Sequence, residues 1–164
     1  MKRKELITMD NLGLFIACIA VPLFIGFLGS LSTTPNITGW YSTLHKPVFS
    51  PPNFIFAPVW TALYILMGFS FFLVLNYGQK HKLFKKAIYI YVVQLLFNAI
   101  WTPAFFGLKS PLLGLIIIVP MWLAVLANII VFYKIKRTAG LVLIPYLIWI
   151  TFATAHNIAI LVLN

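Results

Sequence analysis

Residues 111–133 read PLLGLIIIVPMWLAVLANIIVFY, an unbroken run of 23 positions with no charged side chain. Crossing the hydrocarbon of a bilayer takes about 20 such residues in an α-helix. This stretch therefore predicts a transmembrane helix. On either side of it, residues 11–31, 54–77, 87–106 and 139–163 read the same way, giving five spans joined by short connections and one long one, 32–53. The expected fold is an all-α integral membrane bundle of five helices, a single domain over residues 1–164. The whole chain agrees, being 62% hydrophobic and 9% charged. A soluble domain carries about a quarter charged residues and cannot hide so much apolar surface at this length.

Met1-Lys2-Arg3-Lys4 could head a signal peptide. The apolar run behind it exceeds the usual ~7–15 residues and lacks a small-x-small cleavage site, so a retained helix is expected. Ten basic residues (Lys2, Arg3, Lys4, Lys80, Lys82, Lys85, Lys86, Lys134, Lys136, Arg137) fall on one side of a five-helix chain; Lys46 and Lys109 fall on the other. Positive charge is retained on the cytoplasmic side, which puts the N-terminus inside and the C-terminus outside.

The net charge of +10 does not point to nucleic acid, because the basic residues sit in short clusters between apolar runs and form no extended face. Glu5 and Asp10 are the only carboxylate side chains, and both precede the first span. A carboxylate-relayed pump is disfavoured. Cys18 is the single cysteine, which excludes an internal disulfide, and no metal site is expected. Prolines 22, 58, 103, 120 and 145 lie within or near the ends of the spans, where bends open space between helices. No repeat is visible, which weakens an inverted-repeat transporter.

The long connection contains prolines 35, 47, 51 and 52 with Trp40, Tyr41 and Phe49. Prolines argue against helix and aromatics against a flexible spacer, so a packed lid is expected, the alternative being an aromatic belt at the headgroup level. Beneath it, three helices carry polar and aromatic groups at helical spacing. These are Trp60, Tyr64 and Gly68; Gln94, Asn98 and Trp101; and Tyr146, Trp149, Ala153 and Asn157. Each set shares one face of its helix. Amides avoid lipid, so these faces should turn inward. At 1.5 Å per residue, Trp60 and Asn157 lie about 9 Å, and Asn98 about 12 Å, from the lid end of their helices. An aromatic hollow with a few amides suits a flat, largely apolar ligand with polar edges. His156 is the only ionisable side chain well inside a span; it could ligate haem iron or simply bond within the bundle.

The motifs Trp40-Tyr41-x-x-Leu44-x-Lys46-Pro47-x-Phe49-x-Pro51-Pro52, Pro58-Val59-Trp60-Thr61-x-x-Tyr64-x-x-Met67-Gly68, Gln94-Leu95-x-x-Asn98-x-x-Trp101 and Pro145-Tyr146-Leu147-x-Trp149-x-x-Phe152-Ala153-Thr154-x-x-Asn157 occur in this order. In them the chain resembles the tryptophan-rich sensory proteins or translocator proteins, the TspO family, also called peripheral-type benzodiazepine receptors. The resemblance implies a membrane receptor or sensor, commonly a homodimer, that binds tetrapyrroles such as protoporphyrin IX and haem. It also implies binding of synthetic isoquinoline carboxamides or benzodiazepines and, in some members, cholesterol. The tetrapyrrole would be a ligand, with no cofactor required. Carried onto this chain, the ligand site would comprise Tyr41, Pro51, Trp60, Tyr64, Asn98, Trp101, Trp149 and Ala153. The resemblance also raises two alternatives, a transporter of porphyrin or other lipophiles and a light-dependent porphyrin-degrading enzyme using Trp60 and Trp149. His156 departs from the family's usual leucine. No Lys or Arg follows Arg137, so the Leu/Val–Tyr–Lys/Arg sterol motif does not form there. Small-residue pairs Gly13/Ala17 and Gly26/Ser30 are candidate dimer contacts. The lysine-rich loops and short chain look bacterial, with the plasma membrane as location.

Overall fold

The computed structural model describes residues 7–164; Lys2, Arg3 and Lys4, which enter the charge asymmetry, and Glu5 lie outside the described residues. Five spans long and apolar enough to cross a membrane are present among them. They comprise α1 (Met9–Ile37), α3 (Asn53–Tyr77), α4 (Phe84–Thr102) with a π-helical turn (Pro103–Gly107), α5 (Pro111–Ile135), and the pair α6 (Arg137–Val142) and α7 (Ile144–Leu163). A one-turn helix, α2 (Trp40–Thr43), lies in the connection between α1 and α3. The end of the bundle bearing α2 is the loop end below.

Two boundaries differ from the sequence reading, each for a local reason. The first helix continues to Ile37 and contains Pro35, so the long connection shrinks to residues 38–52. Proline removes its own donor and crowds the carbonyl four residues before it, here that of Leu31. The turn is supported by side chains, with Thr33 Oγ1 donating to Gly29 O at 3.3 Å and Asn36 Nδ2 to Ser32 O at 2.9 Å. The third span, read as 87–106, does run past Pro103, through a widened turn closed by Leu108 N donating to Pro103 O at 2.8 Å. The fifth span divides at Leu143, since Pro145 cannot donate to the carbonyl four residues before it.

α1 packs on α3 and α4, α4 on α5, and α5 on α7, while α6 returns against α3. The most enclosed layer holds Met67 and Phe72 of α3, Ile118, Met121 and Phe132 of α5, and Tyr146 and Ile150 of α7, all fully buried. Outward-facing Phe24, Leu28 and Leu31 of α1, Leu96 of α4 and Ile148 of α7 are exposed, as lipid requires and water forbids. Helices α1 and α3 meet closely at Gly68, where an added Cβ would collide with the carbonyl oxygen of Cys18 and lie 2.7 Å from Ile19 Cα. Gly26 is not free for a second chain, because it faces the Tyr64 ring within the same bundle. Gly13 is open, with nothing within 4 Å of its Cβ position.

Lys109, at φ 53°, turns the chain out of the π-helical segment, and Ser110 Oγ caps α5 by accepting from Leu113 N at 3.2 Å. This reversal fixes Phe105 and Phe106 over the start of α5 and so shapes the loop end.

Candidate functional site

Two cavities occupy the loop end, separated by a wall of indole rings. The smaller is an aromatic chamber of about 30 Å³, bordered by Tyr41, Trp60, Trp101, Trp149, Ala153 and His156, with Asn157 and several phenylalanines. The larger, about 590 Å³, is a wedge between α1 and α3. It exists because the helices touch at Gly68 and part toward the loop end. Its α1 wall is Gly26, Gly29, Ser30, Thr33 and Thr34; its α3 wall is Phe54, Ala57, Trp60, Thr61 and Tyr64. Phe27 and Phe54, both well exposed, mark the rim on the bundle's apolar flank.

The chamber is held by ring packing. Trp101 stacks on Phe105, centroids 5.5 Å apart and planes 19° apart. The π-helical turn buries Ala104, Phe105 and Phe106 in succession, and such turns recur at functional sites. Tyr41, 2% exposed, sits on Phe106 at 5.6 Å and Phe56 at 6.4 Å. It pins the 38–52 connection to the bundle as a lid. Lys46 Nζ lies 4.4 Å above the Tyr41 ring. Further ties are His45 N donating to Asn164 Oδ1 and Asn164 Nδ2 donating to His45 O, both at 3.0 Å. The last is a hydrogen bond of 2.9 Å between Ser50 Oγ and His156 Nε2. The lid expected from prolines and aromatics is thus present, shorter than the sequence implied.

Around this chamber four polar atoms are buried without a hydrogen-bond partner: Tyr41 OH, Trp101 Nε1, Trp149 Nε1 and Asn157 Oδ1. Three are donors and one is an acceptor, and each costs free energy while unmatched. Burial pushes the Tyr41 phenol up to about 12, so it keeps its proton throughout the physiological range. Asn157 Nδ2 is committed, donating to Pro111 O at 2.8 Å, which clamps α7 to the first turn of α5.

The eight positions expected at the site divide. Tyr41, Trp149 and Ala153 border the chamber, Tyr64 borders the wedge, and Trp60 and Trp101 border both. Pro51 and Asn98 border neither. Pro51 stays within the lid. Asn98 lies beneath the chamber, where its amide is consumed: Tyr64 OH donates to Asn98 Oδ1 at 2.9 Å and Asn98 Nδ2 to Tyr146 OH at 2.9 Å. Gln94 Nε2 reaches the same phenol at 3.3 Å. The amides of Asn98 and Gln94 thus tie the third helix to its neighbours. His156 bonds to the lid and not within the bundle. The α1 wall was missed, although Gly26, Gly29, Ser30, Thr33 and Thr34 at helical spacing mark one small, hydroxyl-bearing face.

Comparison with known proteins identifies the family. The model of the TspO/MBR family matches residues 18–163. The chain belongs to the TspO/MBR family. As a TspO/MBR member it is 40% identical to a tryptophan-rich protein TspO of Chlorobaculum tepidum over 147 residues, covering 90% of this chain and 93% of that one. It is 37% identical over 149 residues to a tryptophan-rich sensory protein of Cereibacter sphaeroides, covering 87% and 91%. With the human translocator protein it shares 32% identity over 134 residues, covering 80% and 78%. This TspO/MBR chain is an integral membrane protein, and its bacterial relatives agree with a bacterial membrane as its location.

Proposed function

We propose that this protein is a membrane receptor that binds a tetrapyrrole, such as protoporphyrin IX or haem, in the aromatic chamber under the lid. The observation that carries the reading is the set of four unmatched polar atoms, Tyr41 OH, Trp101 Nε1, Trp149 Nε1 and Asn157 Oδ1, set among indole and phenyl rings. A flat macrocycle offers π-faces for the rings and carboxylates for the three donors. Lys46, above Tyr41, supplies a cation for a carboxylate edge. At about 30 Å³ the closed chamber holds about one water, so binding requires the lid to lift or the Trp60–Trp101 wall to part. With ten basic residues on one side and two on the other, the chamber lies in the extracytoplasmic half.

Tryptophan quenching on titration with protoporphyrin IX tests this. Saturable quenching is expected, and Trp149→Phe and Asn157→Leu should weaken it. Absence of saturation in the wild type would sink the proposal, as would equal affinity in both variants.

A second reading, light-dependent breakdown of the bound porphyrin, draws support from Trp60 and Trp149 both bordering the chamber. It predicts turnover of porphyrin absorbance under illumination. Equal bleaching by Trp→Phe variants at both positions would remove it.

A further inference from the structure

We propose that the wedge between α1 and α3 is a lipid site that takes a diacylglycerol from the leaflet at the loop end. The inference is independent of what the aromatic chamber binds. From Leu23 to Thr34 along α1, and from Tyr64 to Asn53 along α3, each wall is about 16 Å long. One leaflet of hydrocarbon is about 15 Å thick, half of the ~30 Å core. The cavity is therefore as tall as one acyl layer, and its rim at Phe27 and Phe54 lies open to the chains. Toward the middle of the membrane it narrows until Gly26 meets the Tyr64 ring. Such a taper admits a flexible chain to its floor and stops a rigid fused ring short. Its volume, about 590 Å³, is that of a site for a small molecule and not of a packing defect.

The polar groups of the walls name the head of the lipid. Among the described residues no charged side chain lines the wedge, so a phosphate or an ammonium drawn into it would meet no counter-charge. The hydroxyls divide by what they have left to offer. Ser30 Oγ donates to Phe27 O at 2.6 Å, Thr33 Oγ1 to Gly29 O at 3.3 Å and Thr61 Oγ1 to Ala57 O at 2.8 Å. Each spends its proton on its own helix and presents only lone pairs to the cavity. Thr34 and the amide of Asn53, at the loop end, hold no bond of that kind among the described residues and can donate. A diacylglycerol matches both sets. Its ester carbonyls accept from Thr34 and Asn53, its one free hydroxyl donates to Thr33 or Ser30, and it carries no charge. One acyl chain then follows the apolar floor past Ala57 toward Gly26 and Leu23. A phospholipid with the same chains replaces the free hydroxyl by a phosphate and loses the match.

Trp60 and Trp101 border the wedge and report its occupant. The full-length protein is reconstituted, without tetrapyrrole, in phosphatidylcholine vesicles that carry a small fraction of diacylglycerol brominated on its chains. Bromine quenches an indole only at contact. Saturable quenching is expected, in excess of that given by brominated phosphatidylcholine at the same mole fraction. Acetylating the free hydroxyl of the diacylglycerol should remove most of the excess. Ala57→Phe, which fills the wedge from the α3 wall, should abolish it, whereas Leu96→Phe, on the lipid-facing side of α4, should leave it intact. Thr33→Val keeps the side chain's shape and removes the acceptor, so the preference for diacylglycerol over its acetylated form should fall about fivefold. That variant decides the matter if Ala57→Phe melts below the wild type. Equal quenching by brominated phosphatidylcholine would show ordinary boundary lipid and overturn the proposal. So would equal quenching by the acetylated form, or an unchanged preference in Thr33→Val. A failed protoporphyrin titration leaves this result untouched, and the converse also holds.

Discussion

Trp60 of α3 and Trp101 of α4 face each other with ring centroids 6.1 Å apart and planes inclined by 32°, and the same two rings bound both the aromatic chamber and the wedge between α1 and α3. A partition of two rings can part without unfolding any helix, since each ring turns about its own side-chain bonds.

Removing half of that partition should join the cavities. In Trp60→Ala the contacts of Trp60 with Tyr64 at 5.7 Å and Tyr146 at 6.4 Å are also lost. Those lost pairs lower stability, while the ring face that Trp60 would offer the macrocycle is worth about 0.5–1.5 kcal/mol, so protoporphyrin affinity should fall by up to roughly tenfold. Quenching by the remaining tryptophans measures this. An unchanged dissociation constant would show that the wall plays no part in binding.

The ties beneath the chamber make a different prediction. Asn98→Leu strands Tyr64 OH and leaves Tyr146 OH with the longer bond from Gln94. Interhelical hydrogen bonds in membranes are worth about 0.6–2 kcal/mol. The variant should therefore melt several degrees lower in detergent, with ligand affinity reduced less than by Trp149→Phe. Thermal unfolding and quenching titration, run together, separate the two effects. A larger loss of affinity than of stability would return Asn98 to the ligand site.

At Gly68 the expected cost is in packing alone. A methyl group there meets backbone of α1 and not a flexible side chain, so Gly68→Ala must push the helices apart. Overpacking of this kind costs about 1–3 kcal/mol. Lower melting temperature by circular dichroism is expected, whereas Gly13→Ala, whose Cβ meets nothing within 4 Å, should not lower it and should gain up to the ~0.5–1 kcal/mol by which alanine favours a helix interior.

Asn164 ties the lid through two hydrogen bonds to the backbone of His45. Each exposed bond contributes about 0.5–1.5 kcal/mol, so Asn164→Ala should speed ligand association several-fold while barely altering stability. Stopped-flow quenching reads the association rate directly. Equal rates would place the controlling step at the indole wall and not at the lid.

Five spans could be read from the sequence because hydropathy over about 20 residues is a one-dimensional signal. Helical spacing alone brought Trp60, Trp101, Trp149 and Ala153 to one region, since side chains that share a face keep it in the fold. What spacing could not reveal was which polar groups would find partners first. Asn98 and Trp149 look equally available in one dimension; only the approach of Tyr64 and Tyr146 decides that the amide is spent and the indole is not. Pro35 misled for a related reason. The sequence reading set it outside the helix, while Thr33 and Asn36 support the turn around it. The wedge was illegible because it depends on the angle between α1 and α3, which no single helix encodes.

That wedge opens between Phe27 and Phe54 on the flank turned to the acyl chains. Whatever fills it arrives already dissolved in the bilayer, and its effective concentration is set by partitioning and not by its level in water. Adding lipid or detergent at fixed total ligand therefore dilutes the occupant, and half-saturation shifts upward although no contact within the protein has changed.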